Sequence, residues 1–392
     1  MAVDQLELGA ALNAIVEPEL GLPLGEIGFL REVTSRRRRV RIEVALPVAA
    51  WPGSDELADE IHRVARAVPG VEEIEFDLTV MNDGERAALR ITLRTTMLGA
   101  AAGAEPAEDA HGGHGGHGHA HGDDDAAAAF LLPDSTTRVI GVSSGKGGVG
   151  KSTVTVNLAI ALAQAGHSVG LLDADVYGFS VPKMLGTDHD PIILGDVVIP
   201  TSAHGVKCLS MGYFVPDDQP VIWRGPMLHK AIQQFLTDAY WGEPDFVLVD
   251  MPPGTGDVAL TLAQVMPKAE IIVVTTPQPA AQRVAQRSAF AARRLKLSVR
   301  GVVENMSWFT GDDGTRYELF GAGGGLTLAA DLGVPLLGQV PLVNAVRQGG
   351  DEGRPVVAFE PASETARAFT DIAGKLASLG PARVYRKELS LR

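Results

Sequence analysis

Residues 139–165 read Val139-Ile140-Gly141-Val142-Ser143-Ser144-Gly145-Lys146-Gly147-Gly148-Val149-Gly150-Lys151-Ser152-Thr153, then VTVNLAIALAQA. An apolar strand pattern over Val139 to Ser143 runs into a glycine-rich loop, and an amphipathic helix is predicted from Thr153 to Ala165. Gly145 to Ser152 fits GxxxxGK[ST], and strand, loop and helix in that order give the motif its structural context. Glycines let successive backbone N–H groups turn inward around a phosphate, and the helix N-terminus adds partial positive charge. The segment from Gly145 through Lys146, Gly147, Gly148, Val149, Gly150, Lys151, Ser152 and Thr153 is therefore the expected nucleotide cradle. Lys151 is expected to bridge the β- and γ-phosphates and Ser152 to hold Mg²⁺.

Outward from this loop, strand and helix patterns alternate from Arg138 to about Leu379. Strands are predicted at RVIGVSS, HSVGLLDAD, FVLVD, EIIVVTT, RGVVENM and LLGQVP. That alternation specifies an α/β fold with a mostly parallel sheet. Upstream, residues 4–97 suit a compact α+β domain. Leu6, Leu8, Leu12 and Ile15 fit a helix, Val40, Ile42, Val44 and Leu46 one face of a strand, and Ile74, Phe76, Leu78 and Val80 another. A helix is predicted over Ser54 to Val68, capped by Ser54 and closed by Pro69-Gly70. Between the two lies an Ala, Gly, Glu and Asp stretch leading into HGGHGGHGHAHGDDD, a composition that buries no core and reads as a flexible linker. The expected organisation is 1–98, an α+β module; 99–135, a linker; and 136–392, the nucleotide-binding domain.

The chain has 392 residues, a formal charge of -14 and a single cysteine, Cys208. The acidic balance disfavours a nucleic-acid partner, and the Arg36 to Arg39 run is read as a solvated turn. No apolar run approaches the roughly 20 residues that cross a bilayer. The segment Arg383 to Arg392 has only Val384, Leu389 and Leu391 as aliphatic anchors, too few for a membrane-surface helix. The N-terminus has no basic region before an apolar stretch, so the expectation is a cytoplasmic protein without membrane or nucleic-acid partners. One cysteine excludes an intrachain disulfide and any Cys-rich metal site built by one chain.

Phe246-Val247-Leu248-Val249-Asp250 is an apolar strand ending in a carboxylate, which places Asp250 to orient Mg²⁺ through water. Met251-Pro252-Pro253-Gly254-Thr255-Gly256-Asp257 follows as a switch-like loop. No NKxD-type guanine reader occurs, which favours ATP. Asn305 is a candidate adenine reader because an amide pairs with donor and acceptor edges, a turn-forming role being the alternative.

Lys146 immediately after the first glycine resembles the deviant Walker A class of MinD, ParA, the nitrogenase iron protein and the Mrp (ApbC) family. Further stretches are similar to Mrp in particular: Asp173-Ala174-Asp175-Val176-Tyr177-Gly178-Phe179-Ser180-Val181-Pro182, Trp223-Arg224-Gly225-Pro226-Met227, Val249 to Asp257, Glu304-Asn305-Met306-Ser307 and Phe320-Gly321 with Gly323-Gly324-Gly325. The N-terminal module resembles the SufT/PaaD-like module of bacterial Mrp proteins. The resemblance implies a SIMIBI/MinD-like P-loop NTPase fold, ATP and Mg²⁺ as ligands, and an ATP-dependent homodimer in which Lys146 reaches the partner's nucleotide. It further implies that Asp175 positions the attacking water and Asp173 helps the metal shell, a helix-capping role being the alternative for both. The implied function is ATP-controlled delivery of iron–sulfur clusters to apoproteins.

The chain departs from that pattern at two places. Typical members carry Cys-x-x-Cys between the ENMS strand and the glycine loop, where this chain has Trp308-Phe309-Thr310-Gly311-Asp312-Asp313-Gly314-Thr315-Arg316-Tyr317. Asp312 and Asp313 are read as a turn. A bridged cluster needs about four thiolates, and two copies of Cys208 supply two. Cys208 falls in a predicted apolar strand, Val206 to Met211, and reads as a buried structural thiol. In the N-terminal module, Val48-Ala49-Ala50-Trp51-Pro52 stands where related modules have Cys-Pro. His111, His114, His117, His119 and His121 in the linker are candidate ligands for Ni²⁺, Zn²⁺ or Cu²⁺. Low-complexity drift is the competing explanation for them. Metal delivery or storage is thus a second functional expectation, and a positioning ATPase of the MinD/ParA type a third.

Overall fold

The computed structural model describes residues 3–98, 129–132, 135–176, 178–187, 189–214, 225–254, 256–311 and 313–381. The histidines at 111, 114, 117, 119 and 121, together with Tyr177, Trp223, Arg224, Thr255, Asp312 and the basic tail from Arg383, lie outside the described residues. The described chain falls into two compact units divided after Ala129, and the first also takes Ile193–Ile199.

The first unit runs α1 (Gln5–Asn13), α2 (Leu24–Ile27), β1 (Leu30–Arg36), β2 (Arg39–Leu46), α3 (Ser54–Ala67), β3 (Glu73–Val80) and α4 (Asp83–Leu98). Its sheet has the order β1-β2-β3, antiparallel then parallel, with α3 as the crossover between β2 and β3. Val40, Ile42 and Val44 are fully buried, and Leu57, Ile61 and Ala65 recur at helical spacing to cover them. One sequence expectation needs correction. Ser54 is the first helical residue; the cap is Gly53, with φ +67°, and no side-chain cap bond forms. Leu78 and Val80 share the inward register of Val44 and Leu46 but stay 43% and 46% exposed, because β3 is the sheet edge.

The second unit opens with β4 (Arg138–Ser144), α5 (Lys151–Gln164), β5 (Val169–Asp173) and α6 (Val181–Leu185). Two short strands, β6 (Ile192–Leu194) and β7 (Val197–Ile199), pair with each other and fall, over Ile193–Ile199, to the first unit; the second resumes with β8 (Thr201–Ala203) and β9 (Val206–Ser210). Then follow α7 (Gly225–Thr237), β10 (Phe246–Asp250), α8 (Asp257–Val265), β11 (Glu270–Thr275), α9 (Pro279–Arg294) and β12 (Ser298–Asn305). A small hairpin of β13 (Phe309–Thr310) and β14 (Arg316–Tyr317) precedes α10 (Gly324–Leu332), β15 (Leu336–Val340), α11 (Asn344–Glu352), α12 (Val356–Phe359) and α13 (Glu364–Ser378).

Eight strands form one sheet in the order β15-β12-β11-β4-β10-β5-β9-β8, parallel throughout except for β8 at the edge. Every residue of β4, β5, β10 and β11 is buried, as expected for strands covered by helices on both faces. The predicted amphipathic character of the helix after the loop is not what forms. All residues of α5 from Val154 to Leu162 are buried, because α13 packs along its outer side. At the opposite end of the strands, Arg138 pairs with Glu270 at 2.6 Å, and its Nη1 donates to the Leu376 carbonyl, tying α13 to the sheet. Among the described residues, no helix is long and apolar enough to cross a membrane.

Candidate nucleotide-binding site

β4 sits at the centre of the sheet with β10 on one side and β11 on the other, so the loop leaving its carboxyl end opens where parallel α/β sheets bind ligands. Gly148 and Gly150 adopt φ +77° and +79°, the left-handed geometry that turns consecutive N–H groups toward one point. Gly150 is also the N-cap of α5, and no side chain caps that helix. The first-turn amides are therefore free to meet an anion. Gly145 is required for a different reason: an added Cβ would overlap the Ala285 backbone of α9, which packs directly on the loop. A cavity of about 250 Å³ lies over the loop, bordered by Lys146, Lys151, Ser152, Thr153, Asp175 and Pro253 among others.

Parallel register brings the acidic residues together. Asp250 at the end of β10 pairs across with Asp173 at the end of β5, and Asp173 pairs in turn with Ser210 at the end of β9. Lys151 Nζ lies 2.7 Å from Asp250 Oδ2 and 3.5 Å from Asp175 Oδ2. Ser152 Oγ donates to Asp250 Oδ2 at 2.6 Å, and Thr155 Oγ1 donates to Asp250 Oδ1 at 2.8 Å. Asp173 accepts from the Asp175 backbone N–H at 3.1 Å and from Ser210 Oγ at 3.0 Å. Burial, and secondly the neighbouring Asp250 carboxylate, push the Asp173 carboxyl up to about 7. The loop lysine and these carboxylates thus neutralise one another within the pocket.

This donor set suits Mg²⁺, a hard cation that takes one or two carboxylates, a hydroxyl and phosphate oxygens. Among the described residues no group of three or more His, Cys, Asp or Glu side chains is placed to hold a metal ion unaided. A Mg²⁺ ion held here would take the rest of its shell from phosphate oxygens and water.

Lys146 is half-buried, and its Nζ donates to Gln278 Oε1 at 3.1 Å. Asn305, only 6% exposed, donates from Nδ2 to the Val149 carbonyl at 2.9 Å, so its amide braces the loop. Gly254, in the loop after β10, donates its N–H to the Ser144 carbonyl and accepts from Ser288 Oγ of α9. Sequence reading missed Thr155, Ser210, Gln278 and Ser288. Thr155 alone had a local signal, standing one helical turn beyond Lys151 on the same face.

Cys208 is fully buried in β9, and burial raises its thiol well above the ordinary range. Asp313 forms the expected turn, accepting from the Thr315 N–H and hydroxyl. Around that hairpin the Arg316 guanidinium stacks over Trp308 at 4.4 Å and pairs with Glu364 at 2.6 Å. A cation–π stack and an Asx turn hold the segment where the resemblance implies a cysteine pair.

Residues 135–377 match the family described as NUBPL iron-transfer P-loop NTPase, and residues 7–76 match the family described as iron–sulfur cluster assembly protein. The iron–sulfur cluster carrier protein of Mycobacterium tuberculosis is 43% identical over 376 residues, covering 94% of this chain and 92% of its own. Its counterpart in Synechocystis is 38% identical over 378 residues, covering 93% and 95%. Among solved structures, the ADP-bound nucleotide-binding protein of Archaeoglobus fulgidus is 33% identical with a TM-score of 0.50, covering 59% of this chain and 91% of its own. The cell division ATPase MinD of Pyrococcus furiosus is 25% identical with a TM-score of 0.50, covering 62% and 99%.

Proposed function

The chain belongs to the NUBPL iron-transfer P-loop NTPase family, and we propose on that premise that it delivers iron–sulfur clusters to apoproteins under the control of ATP binding and hydrolysis. The observation that carries the reading is the assembled pocket, with the loop amides, Lys151, Ser152, Asp250, Asp173 and Asp175 converging at the carboxyl end of the central strands. Lys151 and the loop N–H groups bind the phosphates of ATP. Ser152, with Asp250 and Asp173 behind it, would hold Mg²⁺, which would supply charge neutralisation at the phosphates. Asp175, next to Lys151 at the rim, orients the attacking water, and Lys146 stabilises the nucleotide of a partner copy in a face-to-face homodimer. Asn305 braces the loop, and its free amide oxygen is the part left for the adenine edge.

The cluster is cargo, and its thiolates come from outside this chain. Cys208 is the one cysteine in 392 residues, and it is fully buried. A homodimer therefore presents no exposed thiolate, and ligands lent by assembly factors or clients complete the cluster's coordination. The deciding experiment is anaerobic reconstitution with iron and sulfide, alone and with a cluster-accepting apoprotein, comparing wild type with Cys208→Ser. The expected result is no stable cluster on the isolated protein, ATP-dependent transfer in the mixture, and no difference between the two forms. Failure of ATP to change transfer would overturn the reading.

The linker histidines favour a second reading, delivery of a borderline metal, because five imidazoles fall between His111 and His121. Zinc or nickel titration of the full chain against a linker deletion, with ATPase rate as readout, separates it from the first.

A further inference from the structure

The two lysines of the loop are held by different chemistry. Lys151 faces two carboxylates, Asp250 at 2.7 Å and Asp175 at 3.5 Å. Lys146 is held by the neutral amide oxygen of Gln278 at 3.1 Å. An ion pair in a confined pocket holds its lysine firmly, whereas a single amide acceptor orients an ammonium without neutralising it. The first arrangement suits a lysine that stays on its own subunit's phosphates, the second a lysine that must leave.

The geometry around Gln278 is fixed rather than fortuitous. Gln278 precedes Pro279 at the start of α9 and is held extended, with φ −60° and ψ 132°, as a residue before proline must be. Its other neighbour, Pro277, lies so close to Gly324 of α10 that an added Cβ there would overlap the Pro277 carbonyl. Seven residues on, Ala285 packs its backbone against Gly145. On the other side of the contact, Ser144 Oγ donates to the Lys146 carbonyl at 3.1 Å, which sets the lysine backbone. Acceptor and donor are thus presented to each other by two independently anchored segments.

We propose that Gln278 is a positioning residue that holds the Lys146 ammonium on its own subunit until ATP-dependent pairing of two copies draws it across. The proposal rests on the homodimer reading given above. Gln278 sets the threshold for pairing: a stronger acceptor delays it and a missing acceptor eases it. The adjoining switch loop shares the platform, since Ser288 of α9 holds the Gly254 carbonyl at 2.9 Å.

The test uses the full chain with Gln278→Glu and Gln278→Ala. Acylation of Lys146 in the nucleotide-free protein, measured by peptide mass spectrometry against exposed Lys268, is expected to fall several-fold in Gln278→Glu and to rise several-fold in Gln278→Ala. With a non-hydrolysable ATP analogue, sedimentation is expected to show pairing at higher protein concentration for Gln278→Glu and at lower concentration for Gln278→Ala. A merely structural role moves both variants the same way, and that result overturns the proposal. Unchanged Lys146 labelling overturns the hold itself and leaves the dimer reading standing. Absence of analogue-dependent pairing in wild type removes the dimer reading, and the threshold role with it, whatever the labelling shows.

Discussion

Lys151 and Asp250 face each other at 2.7 Å with 6% and 1% of their side chains exposed, so the lysine proposed to bind phosphate is buried against the carboxylate proposed to orient the metal. Removing one member of a buried pair strands the other, at about 3–5 kcal/mol. Lys151→Ala is therefore expected to abolish ATP binding and also to destabilise the nucleotide-free protein on that scale, because Asp250 is left beside Asp173. Equilibrium denaturation and titration with a fluorescent ATP analogue check the two effects. Asp250→Asn keeps the shape and removes a charge that repels Asp173. Its expected signature is a smaller loss of stability with loss of the Mg²⁺ dependence of nucleotide affinity.

Asp250 and Asp175 pair with Lys151, whereas the Lys146 ammonium donates to Gln278. Lys146→Ala is accordingly expected to spare most nucleotide affinity while losing turnover and ATP-driven pairing. Steady-state hydrolysis and analytical ultracentrifugation measure these. Unchanged turnover in the variant sinks the argument for a shared site.

Asp173 gives the nucleotide-free protein a pH dependence of definite sign. Its folded-state value, pushed up to about 7, stands above the ordinary carboxylate value of 3.8, so between these the folded state holds a proton that the unfolded state has lost. Stability from this group is then greatest at low pH and declines as pH rises through about 7. The melting temperature without nucleotide is expected to fall between weakly acidic and weakly alkaline buffer, and Asp173→Asn to flatten that slope. Asparagine keeps the bond from the Asp175 N–H, and the Ser210 hydroxyl can reverse to accept from it, while the longer bond from the Val181 N–H at 3.3 Å is lost. An equal slope in both proteins would assign the titration elsewhere.

The cradle was legible because its code is local. Buried parallel strands read as unbroken apolar runs, and the left-handed positions Gly148 and Gly150 carry the residue such geometry demands. The P-loop and the strand bearing Asp250 follow from local pattern alone. The braces around them could not. Gln278 lies 132 residues from Lys146, and Ser210 lies 37 from Asp173. Each is an ordinary polar residue until register and packing deliver it. The helix after the loop was misjudged because what buries its outer face is α13, some two hundred residues on. The Ser54 cap was misjudged for a local reason, since Gly53 in the left-handed region takes the chain into the helix one residue earlier.

Cys208 is expected to be chemically silent. Full burial in β9 and a thiol pushed well above its ordinary range keep it protonated and screened. A maleimide should label the native protein slowly and the denatured protein at once. Cys208→Ala should leave reconstituted iron and sulfide content unchanged, at a folding cost of about 1 kcal/mol for the small cavity. Rapid native labelling would show that β9 opens, and would return the thiol to the set of cluster ligands.

Gly150 and Asn305 together test what Asn305 does. Gly150 has φ +79°, which costs a side-chain-bearing residue about 1–2 kcal/mol. An added Cβ would also overlap Asn305 Nδ2, the atom that donates to the Val149 carbonyl. Gly150→Ala therefore carries a conformational penalty and a displacement of Asn305, while Asn305→Ala alone loses a buried hydrogen bond worth about 0.5–1.5 kcal/mol. Because the Gly150 clash disappears with the asparagine side chain, the double variant is expected to lose less than the sum of the single losses. If Asn305 acts chiefly as a brace, Asn305→Ala lowers ATP and GTP affinity by the same factor, since a displaced loop fails any phosphate chain. A loss confined to ATP would instead assign its free amide oxygen to the adenine edge.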